Sequence, residues 1–388
     1  MKNNKFVPKL RFRGFEKIAD WQILPLGDVA ENLDNRRIPI TESDRVKGKI
    51  PYYGASGIID YVKEFIFDEE VLCISEDGAN LVARTLPIAF SVSGKSWINN
   101  HAHVLRFKQR STQALLENYL NSIKLDDFLT GMAQPKLNRA MLDIIPVPLP
   151  KNIEEQQKIA DCLSSLDDLV TAHTQKLETL KTYKKGLMQQ LFPAEGEIVP
   201  KLRFEGFEGD WEETNLKAVS QMQAGKFVSA SDIYELKDDN KYPCYGGNGL
   251  RGYTETYTHQ GKYPLIGRQG ALCGNITLAN GKFHATEHAI TVKPKDKNSI
   301  DWLFYTLLKL NLNQYATGQA QPGLSVEVLE KVSLKKPKSI EEQQKVADCL
   351  SSVDNLITTQ AQKIENLKLH KKGLMQQLFP SNEEVMDE

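Results

Sequence analysis

The chain has 388 residues, 40% hydrophobic and 26% charged, with a net charge of −1, a composition that suits a globular protein with two cores. No apolar run reaches the roughly 18 residues that would span a membrane, and MKNNKFVPKLRFRGF at the start lacks the apolar segment of a signal peptide. The five cysteines (Cys73, Cys162, Cys244, Cys273 and Cys349) show no C-x-x-C spacing, which indicates neither a zinc site nor a disulfide framework and points to a reducing cytosol.

The chain opens on VPKLRFRGFEKIADW, Val7 to Trp21. A mixed α/β block follows. VLCISEDGANLVAR reads as short strands split by a Gly-containing turn, and TQALLENYLNSIKLDDFL carries helical spacing. GMAQPKLNRAML then leads through Gly, Gln and Pro to a last strand, IIPVPLP. AFSVSGKS, Ala89 to Ser96, approaches a phosphate-binding loop, but Ala89 stands where the first glycine is needed and a strand-like run follows, so a hairpin turn is expected. His101 and His103 would share one face of a strand. No convincing third ligand accompanies them, so structural or base-contacting histidines are expected rather than metal ligands.

From Glu154 to Pro193 the chain reads EEQQKIADCLSSLDDLVTAHTQKLETLKTYKKGLMQQLFP, and from Glu341 to Pro380 it repeats nearly the same forty letters at an offset of 187. Leu163, Leu166, Val170, His173, Leu177, Leu180, Lys184, Leu187 and Leu191 step by three and four. Leu350, Val353, Ile357, Gln360, Ile364, Leu367, Lys371, Leu374 and Leu378 do the same, giving two heptad seams with two polar layers each. Some forty residues make a rod on the order of 60 Å. Acids (Glu154, Glu155, Asp161, Asp167, Asp168) crowd the first half of the first rod and lysines (Lys176, Lys181, Lys184, Lys185) its second half. In the second rod Glu341, Glu342, Asp348 and Asp354 again precede Lys363, Lys368, Lys371 and Lys372, so antiparallel pairing within one chain sets acid beside base. A homodimeric coil is the alternative.

The entry motif returns as VPKLRFEGFEGDW, Val199 to Trp211, and the second block echoes the first loosely. Pro51-Tyr52-Tyr53-Gly54 matches Pro243-Cys244-Tyr245-Gly246, His101-Ala102 matches His288-Ala289, and Thr130 to Pro135 matches Thr317 to Pro322. Copying is tight in the rods and loose in the blocks, which predicts a spacer carrying two readers for two different targets. No nucleophile elbow, H-E-x-x-H helix, nucleotide-binding loop or N-P-P-[YF] tetrapeptide is present, so no catalytic residue and no metal ligand is assigned. The polar residues at the turns are candidates for DNA contact: Arg36, Arg37, Tyr52, Tyr53, Asn80, Arg84, Asn99, Asn100, His101, Gln134 and Lys136 in the first block. Lys226, Tyr245, Asn248, Arg251, Arg268, Gln269, Asn275, Gln319 and Gln321 are those of the second. Arg and Lys reach guanine edges and phosphates, and Asn and Gln bond adenine, although such residues are also what loops ordinarily contain.

In the paired PKLRF-x-GF…W motifs, in TGMAQPKL and TGQAQPGL, and in P-L-P-x-x-x-E-E-Q-Q-K-I-A followed by a helix ending in LMQQLFP, the chain resembles the specificity subunits of type I restriction–modification systems along nearly its whole length. KVSLKKPKSIEEQQ, in the second copy, lacks the P-L-P. The resemblance implies an α+β fold: two similar mixed α/β target-recognition domains joined by two long helices in an antiparallel coiled coil, with pseudo-two-fold symmetry. The expected boundaries are 1–150 for the first recognition domain, 151–195 for the central spacer helix and 196–338 for the second recognition domain. The C-terminal spacer helix would take 339–380 and a tail 381–388. It further implies a non-catalytic, cytoplasmic subunit that reads one half of a bipartite target in double-stranded DNA with each domain. Modification (methyltransferase) and restriction/translocase subunits would be its partners. S-adenosylmethionine, ATP and Mg would then sit on those partners, with no cofactor on this chain. A two-headed DNA-binding adaptor without restriction partners and a non-DNA coiled-coil scaffold are the alternatives.

Overall fold

The computed structural model describes residues 6–18, 21–131, 134–270, 272–295, 297–318, 322–381 and 385. Two compact units divide the chain: residues 1–174 with 362–388, and residues 175–361. Both long helices, Ile153–Leu191 and Ile340–Leu378, contribute to both units. The prolines that close the two blocks precede these helices, and Asn152 and Ser339 cap their first turns by accepting from the N–H of Glu154 and Glu342.

In the first unit a four-stranded antiparallel sheet runs in the order Glu31–Asn32, Ala102–Arg106, Val71–Ser75, Ala89–Val92. A second sheet runs Gly57–Val62, Lys47–Gly54, Lys95–Ile98, Phe67–Asp68, with one parallel pair between Tyr52-Tyr53 and Trp97-Ile98. Gln22–Pro25 pairs with Pro146–Leu149 to close the block on itself. The AFSVSGKS segment is a turn, as its lack of a following helix requires, but not a hairpin. Ala89–Val92 pairs with Val71–Ser75, whereas Lys95–Ile98 belongs to the other sheet. The main core gathers Trp21, Leu72, Ile74, Leu115, Tyr119 and Leu163 with Leu374 and Leu378, so the start of one long helix and the end of the other share it.

The second unit repeats this plan. One sheet runs Ser220–Ala224, Ala289–Pro294, Tyr263–Gly267, Ile276–Ala279, the other Gly249–Thr254, Tyr242–Gly246, Lys282–Ala285, His259–Gln260, with Glu212–Asn215 closing on Ser333–Lys336. Even the register shift recurs, between Tyr52 and Tyr53 and between Cys244 and Tyr245. Its core combines Trp211, Ile290, Trp302 and Leu303 with Leu187 and Leu191 from the end of the first long helix and Val346 and Leu350 from the start of the second.

Within each unit the two helices therefore run antiparallel. Asp167 meets Lys371 at 2.6 Å in the first unit, and Asp354 meets Lys184 at 2.6 Å in the second. These are repeat-equivalent pairs, and they place acid beside base as the charge pattern requires. The seam positions are the less exposed ones along both helices: Leu163, Leu187 and Leu350 are buried, while Leu166, Val170, Leu177, Leu180 and Leu367 are half-buried between exposed neighbours. Val353 and Ile364 are buried, and Ile357 and Leu374 half-buried, on the same stripe.

The entry motifs bind the crossed helix ends. Arg11 donates to both carboxylate oxygens of Glu155 at 2.7 and 2.8 Å, and Arg203 does the same to Glu342 at 2.8 and 2.9 Å. The N–H of Leu10 donates to the carbonyl of Gln377 and that of Leu202 to Gln190, each at 2.9 Å. Trp21 packs edge-on against Phe379 and Trp211 against Phe192, at 6.1 and 6.0 Å. Each PKLRF…W segment thus ties the beginning of one long helix to the end of the other.

Candidate nucleic-acid interface

Three loops meet in each unit, by the same backbone bonds and with different side chains. In the first unit the loop after Val71–Ser75 receives the loop before Ala102: the N–H of Glu76 donates to the carbonyl of His101 at 2.9 Å. The loop of Thr130 to Lys136 docks on it from the other side, through Gly78 N–H to Pro135 at 3.2 Å and Leu137 N–H to Glu76 at 2.8 Å. In the second unit Arg268 N–H donates to His288 at 2.8 Å, Gly270 N–H to Pro322 at 3.0 Å, and Leu324 N–H to Arg268 at 2.8 Å. Gly131 and Gly318 take positive φ, 84° and 97°, which the TG step of each docking loop requires.

The side chains on this shared scaffold have been exchanged. Glu76 in the first unit carries Arg37 at 2.6 Å and Lys136 at 3.1 Å; its counterpart is Arg268, whose guanidinium donates to the carbonyl of Glu287 at 3.4 Å. Ser75 donates through its hydroxyl to the carbonyl of Ala55 at 2.5 Å. At the equivalent Gly267, a Cβ would lie only 2.1 Å from the carbonyl of Gly247, so the same two segments approach more closely there. Asn248, Arg251, Gln269 and His288 line an open cleft of about 590 Å³ in the second unit.

An ionic cluster underlies the first junction. Asp34, Glu76 and His103 bring ligand atoms within 4.8 Å of one another. Arg37 contacts both carboxylates, at 3.4 and 2.6 Å, and the two nitrogens of His103 face Asp34 at 2.6 Å and the carbonyl of Leu137 at 2.8 Å. The chain's own cation already meets these acids. Burial alone would raise the Asp34 and Glu76 carboxyls. Hydrogen bonds from His103 and the Val104 N–H to Asp34, and from Arg37 and Lys136 to Glu76, outweigh it and hold both below the usual carboxylate range.

The family model for the type I restriction modification DNA specificity domain matches residues 18–182 and 208–369. The chain belongs to that family. It is 38% identical over 214 residues to the type I restriction enzyme EcoprrI specificity subunit of Escherichia coli, a match covering 55% of this chain and 53% of that protein. A specificity subunit of Haemophilus influenzae is 39% identical over 43% of this chain and 42% of its own length, so the chain spans about half the length of these curated relatives. The MjaVIII specificity subunit of Methanocaldococcus jannaschii matches at 27% identity over 94% of this chain and 93% of its own length. The fold is that of the type I restriction–modification S subunit from M. genitalium, with a TM-score of 0.70, 15% identity and coverage of 97% and 99% of the two chains.

Within this specificity-domain fold the candidate residues separate by burial. Tyr52 is 1% exposed with its hydroxyl on Ile40, and Asn99 is buried and accepts from the N–H of His101, so burial removes both from any ligand. Arg37 is held by Glu76 and by the carbonyl of Ala102 at 2.8 Å. Arg36 donates to Glu69 at 2.5 Å and lies over the Phe67 ring; Arg84 donates to the carbonyls of Leu81 and Leu120. Asn80 caps the local turn through Leu86, Tyr53 stacks on Phe90, and Tyr245 packs on Phe283. These side chains build the loops. Arg36, although paired, is exposed, as are Asn100, His101, Gln134 and Lys136 in the first unit and Lys226, Asn248, Arg251, Gln269 and Asn275 in the second. Gln319 and Gln321 lie outside the described residues.

Sequence reasoning missed Asp77 and left His288 out of the site. The structure pairs both. His101 Nδ1 lies 2.8 Å from an Asp77 oxygen, and His288 Nδ1 lies 2.8 Å from Gln269 Oε1. The signal was available in the HA repeat, since the residue opposite each histidine stands directly before the glycine of an equivalent loop.

Proposed function

We propose that this chain is the DNA-recognition subunit of a type I restriction–modification complex, reading a bipartite, asymmetric target with one half assigned to each unit. The observation that carries this reading is the three-loop junction: one backbone arrangement built twice, with its exposed polar side chains exchanged. Catalysis needs fixed chemistry at a site, whereas readers of two different sequences need fixed geometry and variable donors and acceptors. The duplicated helices set the gap between the half-sites and dock the modification subunits. The chain itself carries no reaction. Adenine methylation with S-adenosylmethionine belongs to the modification subunits, and ATP- and Mg-dependent translocation and cleavage to the restriction subunits, all acting in the cytoplasm. A net charge near zero suits a subunit whose partners supply much of the phosphate contact.

The test is to co-express the chain with modification subunits and map methylated adenines in host DNA. A two-part motif with a fixed gap is expected. Exchanging residues 22–150 for the matching block of another family member should change one half of that motif and leave the other half and the gap unaltered. A motif unchanged by the exchange overturns the assignment.

A further inference from the structure

We propose that the two histidine pairs at the loop junctions are base readers of opposite hydrogen-bonding polarity. His101 accepts from an exocyclic amino group of adenine or cytosine, and the side-chain amide of Gln269 donates to purine N7 or O6 or to thymine O4. This rests on the DNA-recognition reading above and deepens it to single atoms.

The two pairs occupy equivalent places. Asp77 and Gln269 each precede the junction glycine, Gly78 or Gly270, and each forms an isolated bridge with the docking loop, to Lys136 and to Gly323. His101 and His288 each begin a His-Ala step into the neighbouring strand, Ala102–Arg106 or Ala289–Pro294. What differs is the chemistry of the partner. Asp77 only accepts, and its two oxygens lie 3.1 and 2.8 Å from His101 Nδ1, so that nitrogen carries the hydrogen. In the neutral ring Nε2 is then an acceptor, and the His101 side chain is 51% exposed. Adenine N6 and cytosine N4 are the base-edge donors of the major groove.

In the second unit the partner of the ring is an amide. His288 Nδ1 faces Gln269 Oε1 at 2.8 Å, and Nε2 faces a Glu287 carboxylate oxygen at 3.2 Å. With its oxygen engaged, Gln269 has only the N–H donors of its amide left to offer, and it lines the open cleft together with Asn248 and Arg251. The group left is a donor, so the bases it selects are those presenting an acceptor.

The experiment compares the full chain with three variants, each co-expressed with modification subunits, by mapping methylated motifs, and by selection from a randomised duplex library. His101→Ala should lower discrimination at one position of one half-site by on the order of tenfold or more, with the other half-site unchanged. Asp77→Asn can donate to Nδ1, moves the ring hydrogen to Nε2, and should shift that position from adenine or cytosine towards guanine or thymine. A packing role alone would not invert a base preference. Gln269→Glu replaces the donor with an acceptor and should disfavour the original base at one position of the second half-site. Wild-type motifs in all three folded variants, as judged by thermal melting, overturn the inference while the block exchange still upholds the broader reading. A wild-type chain that yields no motif in either assay overturns both.

Discussion

Arg11 and Arg203 show what a single buried side chain does for this fold. Arg11 and Glu155 are 6% and 1% exposed at their side chains, Arg203 and Glu342 16% and 4%. Removing one member of such a pair leaves an uncompensated buried charge, which costs about 3–5 kcal/mol. The two pairs are not equal, because Glu342 also accepts from the indole of Trp211 at 3.0 Å, whereas the indole N–H of Trp21 has no partner among the described residues. Glu155→Ala should therefore destabilise the first unit, and Glu342→Ala the second by about 1 kcal/mol more. Chemical denaturation followed through Trp21 and Trp211 separately would resolve the two effects; equal losses would contradict the role given to the indole. At this scale the sequence was only half legible. Residue type marked Arg37, Tyr52 and Asn99 as polar loop residues, but burial and partners depend on contacts such as Arg37 to Ala102, 65 residues away. The same limit hid Asp77, whose meaning comes from a histidine 24 residues later.

The long helices were legible because a heptad is a local pattern, and locality is what a sequence records. Their direction was legible too, through charge: acids precede lysines in both copies, and the pairs Asp167–Lys371 and Lys184–Asp354 follow. Such partly exposed pairs contribute about 0–1 kcal/mol each, less than the buried seam leucines, so charge selects orientation and apolar packing supplies stability. Asp167→Lys should lower stability by about 1 kcal/mol through like-charge contact with Lys371, and adding Lys371→Asp should restore most of the loss. A double-mutant cycle by thermal melting measures this, and zero coupling would mean that the apolar seam alone sets the direction. The AFSVSGKS turn escaped a local reading for the opposite reason. Its two strands enter different sheets, a choice made by Val71–Ser75 and Phe67–Asp68 rather than by the turn itself.

At the scale of the whole chain, the near-identity of the two helices and the divergence of the two blocks ask for one explanation, and the proposed ruler with two readers offers one. Each helix is 39 residues long and contributes to both units, so helix length is the variable to change. Deleting residues 171–177 together with 358–364 removes one heptad from each copy at repeat-equivalent places. The apolar seam then returns to phase, and the charge pairs Asp167–Lys371 and Lys184–Asp354 are retained. Seven residues at about 1.5 Å each amount to roughly 10 Å, or about three base pairs. The methylated motif should keep both half-sites and lose about three base pairs from its gap. Because about 10 base pairs make one turn of the duplex, that change also rotates one half-site against the other. Affinity should fall even at the preferred new gap, and duplexes tested at each gap length would show a shifted and lowered optimum. Deleting the heptad from one helix alone puts the seam out of register and should lower stability instead of moving the optimum. An optimum that stays at the original gap in the doubly shortened chain would remove the helices from the recognition mechanism and leave them a docking role only.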